Sequence, residues 1–374
     1  MKIVIDLRSL SSGTISGVEN YCLNLLDNLF KLDHKNQYTL FNNSFSKLKL
    51  GDFHYVNSTI KDSRLPNKLI NLALKSKVLN LEKLTGEFDI LFMPNLNQFN
   101  VRKNAKVVLT VHDLSPVVTP EFYDIKRRVW HKFLNYKSSF QRADVLLAVS
   151  ESTKNALINF FGIDSHTITV TSPGLVLIIF HPNLAIDEQR SVRNIYGLPG
   201  EFILFLNTIE PRKNLINLIN GYEKLDCSAS LVIAGRLGWK FRSVFKQINK
   251  SKKSAKIKYI GYVEEKHKPA LIKLAKVLVY PSFYEGFGFQ ALEAMAIGTP
   301  VIASQLTSLP EVVGDAGLLV NPYNVDDISK SLKQILEITN LRKLLEQKGY
   351  KQSEQFVWSK TAENTLKILN SVST

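Results

Sequence analysis

The chain has 374 residues, 45% of them apolar, and a net charge of +15. That length exceeds what one ordinary core sustains, so two domains are expected, and the apolar fraction excludes a disordered chain. Cys22 and Cys227 are the only cysteines and show no metal spacing, which excludes a disulfide-built or zinc-built fold and favours a reducing cytoplasm.

The first element is a strand over residues 2–7. Lys2, Asp6 and Arg8 interrupt what a signal peptide would need as its apolar core. Further strands are predicted over 38–42, 90–93, 107–111, 145–148 and 167–170. Residues 172–200 carry Pro173, Gly174, Pro182, Gly197, Pro199 and Gly200 and read as a linker. A second series of strands follows over 202–206, 230–234, 256–260, 277–280, 300–303 and 318–320. Short β-rich runs alternating with helical patterns give an α/β class with two doubly wound, Rossmann-like domains, here 1–176 and 177–357. No run approaches the roughly 18 apolar residues of a membrane span; residues 175–180 are far too few.

The positive charge calls for a polyanion. Two stretches concentrate it. Residues 61–83 interleave Lys61, Arg64, Lys68, Lys75, Lys77 and Lys83 with Leu65, Leu69, Ile70, Leu72, Val78 and Leu79. Residues 126–142 interleave Lys126, Arg127, Arg128, Lys132, Lys137 and Arg142 with Val129, Trp130, Phe133 and Phe140. Both read as basic amphipathic helices suited to an anionic membrane surface, or as ordinary surface helices with solvated lysines. No zinc spacing or aromatic ribonucleoprotein pattern supports nucleic-acid binding.

The most informative segment starts at Glu285 and ends at Pro300. A strand over 277–280 leads through a loop, 281–288, into a helix over 289–297, stopped by Gly298 with Pro300 beyond it. The free N–H groups of the helix's first turn suit an anion. Gly286 and Gly288 allow the backbone close to a ligand. Glu285 and Glu293, eight positions apart, are carboxylates able to accept hydrogen bonds from neighbouring hydroxyls. Together they suit a polyol joined to a phosphate. The same residues satisfy Gly-x-Gly-x-x-Ala with Glu311 downstream, an NAD-dependent oxidoreductase signature, but 281–285 separate the strand from the first glycine.

The Glu285/Glu293 segment resembles the Glu-x7-Glu motif of retaining glycosyltransferases of the GT-B architecture, and in particular the group-1 (family 4) enzymes. Ile209-Glu210-Pro211-Arg212-Lys213-Asn214 is similar to that family's Pro-Arg-Lys-Asn block, and Val111-His112-Asp113 to its His-Asp loop. The segments 143–152 and 309–317 and the Ser16-Gly17-Val18 turn agree in order, so the likeness covers nearly the whole chain. It implies two domains facing a central cleft, with the helix over 358–371 returning to the first. It implies transfer of a hexose, mannose-like, from a nucleotide diphosphate sugar with retention of configuration, the diphosphate oxygen taking the acceptor proton. The acceptor is expected to be lipid-linked or a polysaccharide, and the enzyme cytoplasmic, on the membrane's inner face.

No Asp-x-Asp or histidine cluster is present, so a metal-independent reaction is expected and no cofactor. Arg212 and Lys213 then supply positive charge to the diphosphate beside the N–H groups of Gly286, Phe287, Gly288 and Phe289. By the resemblance Glu285 binds hydroxyls and acts electrostatically, and Glu293 grips the donor. His112 orients the donor sugar. Gly17, in a loop after the first strand, lets backbone approach the diphosphate, and Gly235, Trp239, Tyr262 and Val263 line the nucleotide, with simple packing the alternative for Trp239. Asn207, before Thr208, stands where the family has glycine, and Leu175-Val176 stands where it has Val-Asp. A nucleotide-sugar epimerase on the same fold is the remaining alternative.

Overall fold

The computed structural model describes residues 1–12, 17–43 and 57–372. Two units form. The first comprises Met1–Val118, Lys126–Gly174 and Val357–Thr374, the second Thr119–Ile125 and Leu175–Phe356. The segment Thr119–Ile125, read from sequence as part of the first domain, thus groups with the second unit.

The first unit holds one parallel sheet of β1 (Lys2–Asp6), β2 (Gln37–Asn42), β3 (Ser58–Asp62), β4 (Ile90–Met93), β5 (Lys106–Val111), β6 (Val145–Ala148) and β7 (Ile168–Val170), in the order β3-β2-β1-β4-β5-β6-β7. The second holds β8 (Phe202–Leu206), β9 (Ser230–Ala234), β10 (Ile257–Gly261), β11 (Val277–Tyr280), β12 (Val301–Ser304) and β13 (Leu318–Val320), in the order β10-β9-β8-β11-β12-β13. Both are Rossmann-like, the α/β class read from the sequence. Parallel strands covered on both faces need apolar side chains on both, so Phe202, Ile203, Leu204 and Phe205 form an unbroken, fully buried run.

The helix Gly17–Leu32 buries Tyr21, Cys22, Leu25, Leu26, Leu29 and Phe30, a stripe at helical spacing. The C-terminal helix Trp358–Ser371 packs against it within the first unit, with the Trp358 ring edge-on to Tyr21 at 5.4 Å.

Several local expectations are corrected. Gly17 is the first residue of its helix and not part of a preceding loop; Ser16 lies outside the described residues. The strand β3 was not predicted. It is an edge strand whose last four residues are exposed, so it lacks the apolar alternation that marks a strand; pairing with β2, from Tyr38↔Ser58 to Asn42↔Asp62, creates it. Residues 61–83 therefore start in a strand and contribute only the helices Asn67–Lys75 and Glu82–Thr85. Residues 126–142 form two helices, Ile125–Leu134 and Tyr136–Arg142, broken at Asn135, whose φ of 49° cannot continue a right-handed helix. The linker over 172–200 contains the helix Ile186–Tyr196.

Candidate active site

Strand order in the second sheet reverses between β8 and β11, and in such sheets ligands bind beyond the carboxyl ends of the strands at that switch. The loops leaving β8 and β11 are stitched together there. Asn214, at φ 58°, donates its side-chain amide to the Pro281 carbonyl at 3.0 Å and the Pro322 carbonyl at 2.7 Å. The Phe283 N–H donates to the Arg212 carbonyl at 2.9 Å.

This stitching assembles a buried ionic cluster. The Glu285 carboxylate accepts from Lys213 Nζ at 2.6 Å and from Arg212 Nη1 at 3.1 Å. Arg212 Nη1 also donates to the Tyr284 carbonyl at 2.7 Å, and its Nη2 lies 2.9 Å from Glu210 Oε1. None of these four side chains is more than about a tenth exposed, and their formal charges cancel. What the site offers is therefore a set of oriented N–H donors, not surplus positive charge. The Glu285 backbone is pinned by its N–H to Thr307 Oγ1 and by Ser308 Oγ to its carbonyl, each at 3.0 Å.

Burial drives the ionisation of each member towards neutrality, and its neighbours decide the result. Burial opposes charge on Glu285, but Lys213 and then Arg212 outweigh it and hold the carboxyl below its ordinary range. Burial, joined by repulsion from Arg212, pulls the Lys213 ammonium down. Burial leaves Glu210 raised despite Arg212 and Lys213 beside it.

The helix Phe289–Ile297 follows, with Gly288 at its N-cap at φ 134° and no side-chain cap. Phe287, a candidate donor contact, is buried, with its ring 5.2 Å from Phe289 and 5.7 Å from Phe356; its side chain packs, so only its backbone can face a ligand.

Glu293 is buried on this helix, and its Oε2 has no hydrogen-bond partner among the described residues. Burial pushes its carboxyl up to about 7, against the pull of Lys268, with Glu265 adding to the rise. The folded protein thus favours the protonated form. That contribution is complete below the ordinary value of 4.5 and is lost as pH rises through about 7, a decline of roughly 3 kcal/mol at most. Glu293→Gln is expected to flatten this decline in unfolding midpoints measured from about pH 5 to pH 8. An unchanged slope would show that the carboxyl titrates normally.

Beyond β9, Gly235 takes φ 138°, and a Cβ there would lie 1.9 Å from the Asn207 carbonyl oxygen. The Asn207 side-chain Nδ2 is buried without a partner among the described residues, a donor in reserve where the family places no side chain. Thr208 is only partly buried. Val263 is in the core, so its side chain cannot meet a ligand, whereas Tyr262 is 44% exposed beneath the Arg236 guanidinium, 4.3 Å from the ring centre. Trp239 takes the packing alternative. Its indole N–H donates to the Phe122 carbonyl at 2.6 Å and its ring stacks on Tyr123 at 5.2 Å, so it anchors Thr119–Ile125 to the second unit. Buried Leu175, in place of the family's valine, donates its N–H to the Phe356 carbonyl at 2.9 Å, a structural use of the position.

In the first unit, His112 follows β5. Its Nε2 lies 2.6 Å from the Pro94 carbonyl, and Tyr21 meets its ring edge-on at 4.5 Å. A carbonyl only accepts, so Nε2 carries the proton and Nδ1 the lone pair. Burial lowers the imidazole's pKa and keeps it neutral. Gly17 lies in the same unit, at the exposed start of its helix.

Among the described residues no group of three or more His, Cys, Asp or Glu is placed to hold a metal ion. The strand β11 ends at Tyr280, and five residues precede Gly286, so the dinucleotide turn, which follows its strand directly, does not form. Sequence reading assigned no role to Glu210, Thr307, Ser308 or Lys268. The alternation Glu210-Pro-Arg212 was the only available signal, since the others are brought in from 22 residues or more away.

Known proteins share the sequence pattern and the fold of this chain. Residues 188–352 match the family described as Glycosyl transferases group 1, and residues 15–177 match Glycosyltransferase Family 4. The O-antigen chain mannosyltransferase B of Escherichia coli is 34% identical over 266 residues, 70% of this chain and 69% of that protein. The serotype-specific mannosyltransferase WbdA of Escherichia coli is 31% identical over 69% of this chain, which spans only 32% of that longer protein. HepE of Anabaena, crystallised with UDP and glucose, has the same fold with a TM-score of 0.74 across 99% of this chain and 100% of its own, at 16% identity. Matches to both halves of the chain and the identity to the mannosyltransferase B show that the protein is a glycosyltransferase and belongs to the group 1 family.

Proposed function

We propose that the protein moves a hexose, mannose by analogy with its Escherichia coli relatives, from a nucleotide diphosphate sugar to a growing envelope glycan or lipid-linked acceptor on the cytoplasmic side of the membrane, with retention of configuration and without a metal ion. The observation that carries this reading is the cluster of Arg212, Lys213 and Glu285 at the switch point of the second sheet.

A leaving diphosphate gains charge as the glycosidic bond stretches towards an oxocarbenium-like state. Arg212 and Lys213 meet that charge with N–H donors already held in place by Glu285 and Glu210, so little reorganisation accompanies the reaction. Retention follows if the acceptor hydroxyl attacks the face the diphosphate leaves, its proton passing to a diphosphate oxygen. Glu285 then acts as a positioning carboxylate, not a nucleophile. Glu293 Oε2 has no partner among the described residues and suits a donor hydroxyl, while Asn207, beside the Tyr280 hydroxyl, could turn its amide to a diphosphate or base oxygen. His112 is a candidate contact for the donor sugar by the resemblance alone, and its neutral ring offers Nδ1 as a hydrogen-bond acceptor for a hydroxyl.

The test is a panel of GDP-mannose, UDP-glucose, UDP-galactose and their diphosphates, scored by thermal shift and by transfer to a mannan-type oligosaccharide. GDP-mannose is expected to give the largest shift and an α-linked product, with the rate unchanged by EDTA. Activity lost to chelator and restored by manganese, a β-linked product, or hydrolysis and epimerisation without transfer would each reject it.

A further inference from the structure

We propose that a cavity of about 640 Å³ at the amino ends of the second sheet is a regulatory site for a phosphorylated sugar. It lies within the second unit, at the strand ends opposite those that carry the Arg212/Lys213/Glu285 cluster. Glu201 leads into β8, Ala229 into β9 and Lys276 into β11, and all three line it. Its volume falls in the range of about 300–1,000 Å³ that small-molecule sites occupy.

One helix supplies the recognition. Ser329, Lys330 and Lys333 line the cavity from the helix Val325–Glu337. Positions three and four apart share a helix face, so the hydroxyl and the two ammonium groups serve one place. Ser329 is 9% exposed, and its hydroxyl has no hydrogen-bond partner among the described residues. Lys330 and Lys333 are exposed and have no ion-pair partner among them either. The other cations of the lining are engaged: Lys276 with Glu201 at 2.8 Å, Lys224 with Asp326 at 2.5 Å, and Arg342 Nη1 with the Ile335 and Leu336 carbonyls at 2.6 and 2.8 Å. A phosphate, with three strongly accepting oxygens, satisfies a buried hydroxyl and two ammonium groups together. Asp226 and Glu337 also line the cavity. They repel a bare anion but accept hydrogen bonds from hydroxyls, so the ligand that fits joins a phosphate to a polyol.

The elements that build this cavity also build the active site. β8 and β11 run from it to the loops that carry Arg212, Lys213 and Glu285. The helix Leu215–Glu223 starts at Asn214 and ends at Lys224 in the lining. The helix Val325–Glu337 starts just after Pro322, whose carbonyl accepts from Asn214 at 2.7 Å and from Asn217 at 2.9 Å. These two helices pack closely, since a Cβ at Gly221 would lie 3.1 Å from Ile328 Cγ2. A ligand held by Ser329, Lys330 and Lys333 therefore acts on a tightly packed pair whose far ends position the ionic cluster. The inference does not depend on which sugar is transferred.

The test is titration calorimetry of the full chain with glucose 6-phosphate, inorganic phosphate and glucose, paired with amide hydrogen exchange. Glucose 6-phosphate is expected to bind, inorganic phosphate to bind more weakly and glucose not at all, and saturating GDP is expected not to displace the sugar phosphate. Lys330→Ala with Lys333→Ala should weaken binding by about tenfold or more, with an unchanged unfolding midpoint because both side chains are exposed. Glucose 6-phosphate should also alter exchange at residues 207–214 and 281–285 in the parent chain and not in the double variant. Binding that survives both substitutions, displacement by GDP, equal affinity for inorganic phosphate, no binding, or unaltered exchange in those two loops would each overturn the proposal.

Discussion

Arg212→Ala is expected to lower kcat by about 10²–10³ with a much smaller change in donor binding, and to destabilise the second unit as well. On the proposed mechanism the first effect follows from the guanidinium being a fixed donor towards charge that grows only in the transition state. The second follows from burial. Arg212 is the counter-ion of both Glu210 and Glu285, which are 4% and 6% exposed, so its removal strands negative charge in a poorly hydrated place. Breaking a buried pair from one side costs about 3–5 kcal/mol. Steady-state kinetics at saturating donor and urea unfolding separate the two effects. Arg212→Lys keeps the charge but not the two-carboxylate fork, so it should regain more stability than rate. A fall in kcat of less than about tenfold would remove Arg212 from the chemistry. Glu285→Gln should then reveal whether the cations need their carboxylate to be held in position.

Gly235→Ala is expected to be the most damaging small substitution in the second unit. At φ 138° an L-residue is strained, and the new methyl would sit 1.9 Å from the Asn207 carbonyl oxygen, a backbone atom that cannot swing aside. The Gly235 N–H donates to the Gly261 carbonyl at 2.7 Å, and the Asn207 N–H to the Ala234 carbonyl at 3.0 Å. Relieving the clash therefore pulls on the ends of β8, β9 and β10 together. A cost of about 3 kcal/mol, or on the order of 10 °C in the unfolding midpoint, is expected, with donor affinity falling in parallel because Asn207 moves. Near-normal stability with donor binding intact would mean that the loop adjusts freely and the close approach has no consequence.

Much of the second unit was legible in the chain. The helix predicted over 289–297 forms as Phe289–Ile297 because Gly298, at φ 84°, ends it where the motif places a glycine. The run Phe202, Ile203, Leu204, Phe205 was readable as a strand because a central parallel strand must be apolar on both faces. The basic stretches were legible as composition but not as shape. Asn135 breaks the second through a left-handed turn that an asparagine permits but does not announce, and Lys61 is drawn into an edge strand by its register with Phe41. Trp239 read either as a ligand contact, like its neighbours, or as packing; only the placement of Thr119–Ile125 showed its indole already satisfied.

By itself the sequence determined the two-sheet α/β class, the glycine-bounded helix after β11 and the residue types able to meet a diphosphate, because these follow from short-range periodicity and turn chemistry. Tertiary structure decided how those residues are used. Lys213 and Glu285 are 72 positions apart and meet because β8 and β11 are adjacent in the second sheet, a pairing that no local pattern encodes. The burial that results fixes which carboxyl stays ionised at Glu285 and which takes up a proton near neutrality at Glu293, since desolvation and counter-ion distance, not residue identity, set that balance.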